Sequence, residues 1–229
     1  KVAVHRINPD GRLSVEPTQL FATDKNAHAI VFDPSGTSVF VPHTRPNAIH
    51  QFHFDPGTGT LTPNVHTALQ TGPDTGPRHL AFHPDNGHAY GSNEQGKSIS
   101  AYRFIPAMKA LGKIQTLTSH PPEGFEGSSS TSDIEVHPSG KFVYIANRGY
   151  NALASFTIMP DGTLTPLEHT ATEAVTRSFN ITSDGKHLIA AGQQSGNLAV
   201  FRIAKNGTLT RTSTIAAGKN PWWILTISR

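Results

Sequence analysis

Asp33-Pro34-Ser35-Gly36, His83-Pro84-Asp85-Asn86, His137-Pro138-Ser139-Gly140 and Thr182-Ser183-Asp184-Gly185 are four versions of one tight turn, spaced 50, 54 and 45 residues apart. A second marker keeps register with the first. It reads Gly59-Thr60-Leu61-Thr62, Gly162-Thr163-Leu164-Thr165 and Gly207-Thr208-Leu209-Thr210, with Gly11-Arg12-Leu13-Ser14 near the start and a degenerate Gly112-Lys113-Ile114 between. Two markers in step over most of the chain identify an internal repeat of roughly fifty residues.

Each repeat holds four strand-like runs. The first alternates apolar residues up to the turn, as Ile30/Phe32, Leu80/Phe82, Ile134/Val136 and Phe179/Ile181. The second is apolar without a break (Val39-Phe40-Val41, Val143-Tyr144-Ile145, Leu188-Ile189-Ala190), the pattern of a strand covered on both faces. The third carries Phe52/Phe54, Tyr102/Phe104, Phe156/Ile158 and Phe201/Ile203, and the fourth, after the Gly-Thr-Leu-Thr turn, is polar in the manner of an outer edge. The reading is all-β: a β-propeller of four-stranded antiparallel blades, with about five blades in one domain over residues 1–229. Full repeats are expected at about 26–70, 76–118, 131–170 and 176–215. Val2–Ile7 and Leu13–Leu20 read as third and fourth strands and Pro221–Ile227 as a first strand. A terminal blade shared by the two chain ends (1–20 with 221–229) is therefore expected, closing a ring, with an arc completed by a partner segment or oligomer as the alternative.

Composition agrees with many short strands: 20 Gly, 17 Pro, 36% hydrophobic and 15% charged residues. The net charge of +3 is spread over single Lys and Arg residues, so nucleic acid is not an expected partner. No stretch approaches eighteen apolar residues, so no membrane span is expected either. With no signal peptide visible, a cytoplasmic location is expected; Lys at position 1 suggests a processed or truncated product. There is no cysteine, and the thirteen histidines show no helical ligand pair, so neither metal nor cofactor is expected. Asn180-Ile-Thr182 and Asn206-Gly-Thr208 fit glycosylation sequons but carry little weight.

Functional residues break a repeat where structural ones recur. Six residues before the turn's Pro (or Ser183) stand His28, Arg78, Ser132 and Arg177; ten residues after it stand Thr44, Glu94, Arg148 and Gln193. First strands run from one face of the disc to the other and second strands return, so both sets emerge on one face beside the axis. A carboxylate, three guanidiniums and an imidazole there are costly unless paired or used, which points to a ligand site. Other residues read as structural: His83 and His137 in turns, His50 and His53 on a solvated strand, Trp222 and Trp223 in packing. Ser128-Ser129-Ser130, after Gly124 to Gly127, reads as a mobile loop rather than a nucleophile, and no Gly-x-Ser-x-Gly elbow exists.

Gly76-Pro77-Arg78-His79-Leu80-Ala81-Phe82-His83-Pro84, Asn93-Glu94, Asp133-Ile134-Glu135-Val136-His137-Pro138-Ser139-Gly140-Lys141 and Ala190-Ala191-Gly192-Gln193 resemble the seven-bladed lactonase family, which includes bacterial 6-phosphogluconolactonases and fungal carboxy-cis,cis-muconate cyclases. The likeness runs from about Ala27 to Trp223, with the family's amino-terminal blades not represented. It implies a catalytic set of His28, Arg78, Glu94 and Arg177, with Arg148, Asn93, His79 and Gln193 as substrate-binding residues. The implied activity is hydrolysis of a small anionic sugar lactone, Glu94 or a neutral His28 activating water while Arg78 and Arg177 hold the anion and the oxyanion. Lactonising cycloisomerisation of a carboxymuconate and a non-catalytic propeller that binds a ligand or protein stand as alternatives.

Overall fold

The computed structural model describes residues 1–120, 125 and 127–227. Its described strands are β1 (Val2–Val4), β2 (Gln19–Phe21), β3 (Val31–Phe32), β4 (Ser38–His43), β5 (Ala48–Asp55), β6 (Thr60–Gln70), β7 (Pro77–Phe82), β8 (His88–Asn93), β9 (Ser98–Ile105), β10 (Ala110–Thr118), β11 (Ser130–Val136), β12 (Phe142–Arg148), β13 (Ala152–Ile158), β14 (Leu164–Ala171), β15 (Thr176–Ile181), β16 (His187–Gly192), β17 (Asn197–Ile203) and β18 (Leu209–Ala216). Four antiparallel four-stranded sheets follow in chain order, β3–β6, β7–β10, β11–β14 and β15–β18, preceded by the pair β1–β2. These four sheets are the blades expected from the repeat. No helix among the described residues is long and apolar enough to cross a membrane.

The unbroken apolar second strands are explained by where the cores lie. Along β12, Phe142, Tyr144 and Ala146 join Phe179, Leu188 and Phe201 of the following sheet, whereas Val143 and Ile145 join Tyr90 and Ile99 of the preceding one. The period of two sends alternate side chains to opposite neighbours, and both neighbours are apolar. On β4, likewise, Phe40 packs toward the second blade and Val39 and Val41 pack with Val2 of β1. Each such fully buried aromatic or aliphatic side chain contributes about 1.5–3 kcal/mol, and a blade alone could not bury both of its faces.

Polar clasps repeat at the same interfaces and explain the recurring leucine, which in the second blade is Leu111, paired with Phe104 as Leu61 is with Phe54, and not part of the Gly112-Lys113-Ile114 read from the sequence. The main-chain N–H groups of Leu61, Leu111, Leu164 and Leu209 each donate to a side chain of the preceding sheet: Gln19, Gln51, Gln115 and Glu168, at 2.7–2.8 Å. The turn histidines reach forward. His83 Nε2 lies 2.8 Å from the Gly140 carbonyl and His137 Nε2 2.8 Å from that of Gly185, so both are structural, as expected.

The terminal blade differs from expectation. β1 pairs with β2 and with no other strand, and Pro221–Ile227 joins no ladder, so the two ends do not share a sheet. The physical reason lies in β15. Its Ser178 hydroxyl and Asn180 carbonyl take the N–H groups of Ile224 and Thr226 at 3.2 and 2.9 Å, holding the last segment along the innermost strand of the fourth blade. Asn180, one of the two sequons, also donates to Glu135 at 3.0 Å and is thereby committed to the interior.

Candidate functional site at the channel mouth

The inner strands of the second, third and fourth blades each carry a register break near the same end. The breaks fall between Pro77 and His79, Thr131 and Ile134, and Thr176 and Ser178, so Arg78, Ser132 with Asp133, and Arg177 are the unpaired residues. A bulge re-aims its side chain and bends the strand. The ring read from the sequence is thus built on three equivalent bulges. At the second blade the approach to the bulge favours glycine: Gly76 has φ +62°, and a Cβ there would displace the end of the Gln95 side chain and crowd the Thr44 carbonyl. Its carbonyl accepts the Glu94 N–H at 2.7 Å, setting Arg78 and Glu94 side by side. In the fourth blade the equivalent residue is Val175, which holds φ +56° despite its branched Cβ.

Arg78 is 1% exposed. Its Nε lies 3.8 Å from Glu94 Oε1, and among the described residues Nε and Nη1 have no hydrogen-bond partner. Arg148 Nη2 donates to the same Glu94 oxygen at 2.5 Å and to the Thr131 carbonyl at 2.8 Å. Burial brings the Arg78 pKa down to about 10, assisted by the charges of Arg148 and Arg177 and opposed by Glu94. For Glu94 burial works upward, but the hydrogen bond and charge of Arg148 and the charges of Arg78 and His28 prevail, leaving its pKa below the usual carboxylate value. Burial, then Arg78 and His79, hold His28 down at about 4 although part of its ring is exposed. Arg177 places its guanidinium carbon 4.7 Å above the Trp222 ring.

His28 and His79 approach to 5.0 Å between ring centroids, and both line an axial cavity of about 400 Å³ with Asp133, Glu135 and Trp223. Of the residues read from the sequence, the structure brings together His28, Arg78, Glu94, Arg148, Arg177 and His79. Asn93 turns into its own blade, donating to Ser98 and Ser100 at 2.9 Å. Gln193 lines a separate rim groove with Gln194, Ser195 and Asn220. Ser132, at the third blade's ring position, is structural, donating to the Thr176 carbonyl at 2.7 Å. His50 instead meets Asp24 at 2.9 Å and His53 meets Lys109 at 2.7 Å, away from the ring. Of the Gly124 to Gly127 segment, Gly124 and Glu126 lie outside the described residues, and beyond it Ser130 is paired in β11 opposite Arg148.

Three contributors escaped the sequence reading. Asp133 and Glu135 stand on the first strand of the third blade, where only Ser132 was sought, and the Asp-x-Glu alternation was their available signal. Trp223, read as packing, is 65% exposed and stacks on His79 at 6.5 Å, while Trp222 lies under Arg177. Burial, aided by Asp133 and opposed by the Asn180 hydrogen bond, lifts the Glu135 pKa to about 7.

The family model described as "Lactonase, 7-bladed beta-propeller" matches residues 2–226. A 6-phosphogluconolactonase of Pectobacterium carotovorum subsp. carotovorum (strain PC1) is 35% identical over 225 residues, covering 97% of this chain and 67% of the relative. One from Yersinia pestis (strain Pestoides F) is 35% identical over 199 residues, or 86% and 59% of the two chains. Among solved structures, a putative 6-phosphogluconolactonase from Bacteroides fragilis NCTC 9343 superposes with TM-score 0.81 at 27% identity, covering 96% of this chain and 65% of that one. The periplasmic gluconolactonase of Pseudomonas aeruginosa gives TM-score 0.86 at 24% identity, over 95% and 64%. The chain spans 59–67% of the length of these relatives. Matched along nearly its whole length by sequence and by fold, this chain belongs to the seven-bladed β-propeller lactonase family.

Proposed function

We propose that the site hydrolyses a small anionic sugar lactone, in the manner the names of the relatives describe. The observation that carries this reading is Arg78: a buried guanidinium with two nitrogens lacking hydrogen-bond partners among the described residues, beside a carboxylate already shared with Arg148. Such a group is stabilised by an incoming anion, and Arg177 and His28 stand around the same opening. A lactone is an activated ester. Its opening needs a positioned water, a base, and stabilisation of the oxyanion that forms at the carbonyl. Arg78 and Arg177 supply the positive charge for the substrate's anion and the oxyanion. Glu94, ionised between two arginines, fixes the direction of Arg78 and Arg148.

The test follows lactone loss above the spontaneous rate with 6-phosphoglucono-δ-lactone, unphosphorylated glucono-δ-lactone, and a carboxymuconate as a third arm. Catalysed opening, faster for the phosphorylated lactone, is expected. Conversion of the carboxymuconate without lactone hydrolysis would replace this reading by cycloisomerisation, and no turnover with any of the three would favour a binding propeller.

A further inference from the structure

We propose that His79 is the general base of this hydrolysis, with Asp133 and Trp223 as the residues that position it. The inference rests on the lactonase reading above and deepens it by naming the proton acceptor.

His79 follows Arg78 directly in β7 and lines the axial cavity together with His28, Asp133 and Trp223. Its Nδ1 lies 3.1 Å from Asp133 Oδ1 on the neighbouring inner strand. Asp133 is itself fixed: its two oxygens accept the N–H groups of Ile134 and Phe179 at 3.1 and 3.2 Å, so it bridges β11 and β15. A carboxylate held against Nδ1 selects the tautomer that keeps the proton there and leaves the Nε2 lone pair for the reacting water, and it stabilises the imidazolium once formed. The ring is further held by Trp223, stacked at 6.5 Å with planes 29° apart, and by His28, tilted by 51° at 5.0 Å.

The other two candidates for base are poorly suited. Glu94 is bound to Arg148 and faces Arg78, so taking a proton would break an ion pair. Among the described residues His28 has no hydrogen-bonded carboxylate, and burial with Arg78, His79 and Arg177 outweighs Glu94 in opposing its protonation. The titratable groups facing His79 are Asp133 and, farther along β11, Glu135, with His28 in the segment that precedes β3 and Arg78 on its own strand.

In the step proposed, water oxygen bonds to the lactone carbonyl carbon while His79 Nε2 takes one of its protons. Collapse of the tetrahedral intermediate breaks the bond from that carbon to the ring oxygen. The departing alkoxide takes the proton back from Nε2, giving a hydroxy acid that ionises at neutral pH. No further reactant is required.

The experiment compares wild type, His79→Gln, His79→Ala with and without added imidazole, and Asp133→Asn, using kcat and KM across pH on the best lactone. Melting curves report folding. His79→Gln is expected to lose about a hundredfold or more in kcat with little change in KM. Imidazole should restore part of the His79→Ala loss, which a purely structural role would not permit. Asp133→Asn should move the acidic limb of kcat/KM to lower pH. Wild-type kcat in a folded His79→Gln protein, or an acidic limb unmoved in Asp133→Asn but abolished in Glu94→Gln, would overturn the assignment of His79 and leave the lactonase reading standing. Absence of turnover by the wild type overturns both.

Discussion

Arg148 Nη2 stands 2.5 Å from Glu94 Oε1, and these two residues occupy the same position in successive blades. The equivalence matters because the end of the second strand in the second blade meets its counterpart in the third, so a change at one of these two positions is felt at the other. Here the two positions carry opposite charges, and the carboxylate that binds Arg148 also faces Arg78.

Glu94→Gln therefore leaves the buried Arg78 and the partly buried Arg148 without their shared counter-charge. Breaking such a pair costs about 3–5 kcal/mol when fully buried, and Glu94 retains 24% side-chain exposure, so a loss of roughly 1–3 kcal/mol is expected. Because folding lowers the Glu94 pKa, its contribution is present above the unfolded value and disappears as pH falls through the folded one. Urea melts should show the variant weaker at pH 7 and nearly equal to wild type at the acid end. Equal stability at pH 7 would show the pair to be without net effect.

Arg78→Met should separate binding from stability. Burial and two like charges disfavour this guanidinium, so an apolar side chain of similar length is expected to hold stability within about 1 kcal/mol of wild type. Loss of one charge-assisted contact should weaken substrate binding by roughly 1.5–3 kcal/mol, a ten- to hundredfold rise in KM. Unchanged KM would place Arg78 outside the substrate site.

His28 offers a spectroscopic check on the charge of the ring. Burial and the Arg78 charge favour its neutral form, so its imidazole resonances should titrate near pH 4 rather than 6.5. The stability linked to it is present above 6.5 and is lost as the pH falls toward 4, and His28→Asn should flatten that slope. A midpoint at the ordinary value would mean the arginines do not act on it.

Glu135 has the opposite sign. Folding favours its protonated form, so stability linked to it is full below the unfolded value of 4.5 and is lost as pH rises through about 7. Glu135→Gln keeps the shape and the Asn180 contact while removing the charge. It should raise the melting temperature by several degrees at pH 8, from up to roughly 3 kcal/mol, with no gain at pH 4. Equal gains at both values would exclude a charge effect.

Val175 is strained where its equivalent Gly76 is not. A left-handed conformation costs a branched residue about 1–2 kcal/mol, and glycine returns roughly 0.5–1 of that as lost unfolded-state restriction. Val175→Gly is therefore expected to raise the melting temperature by about 1–4 °C. A lower melting temperature would mean that the Val175 side chain packs more favourably than its backbone is strained.

What the linear sequence determined is whatever recurs. The turn at Asp33, His83, His137 and Thr182 and the leucine after each Gly-Thr marker give the blade its period, and the unbroken apolar second strands announce burial on both faces. Comparing repeats also reached Arg78, Glu94, Arg148 and Arg177, because a charged residue at a position that is elsewhere Ser or Thr is visible without coordinates. Tertiary structure decided what depends on neighbours. Asn93 and Glu94 are adjacent in sequence, yet the strand alternation sends one into the blade and the other to the channel. Asp133 meets His79 only because inner strands of different blades converge on the axis, a contact across more than fifty residues that no local pattern encodes. The path of Pro221–Ile227 was likewise undecidable from its strand-like pattern. An apolar alternation specifies a strand but not its partner, and here Ser178 and Asn180 of β15 supply the acceptors that hold it.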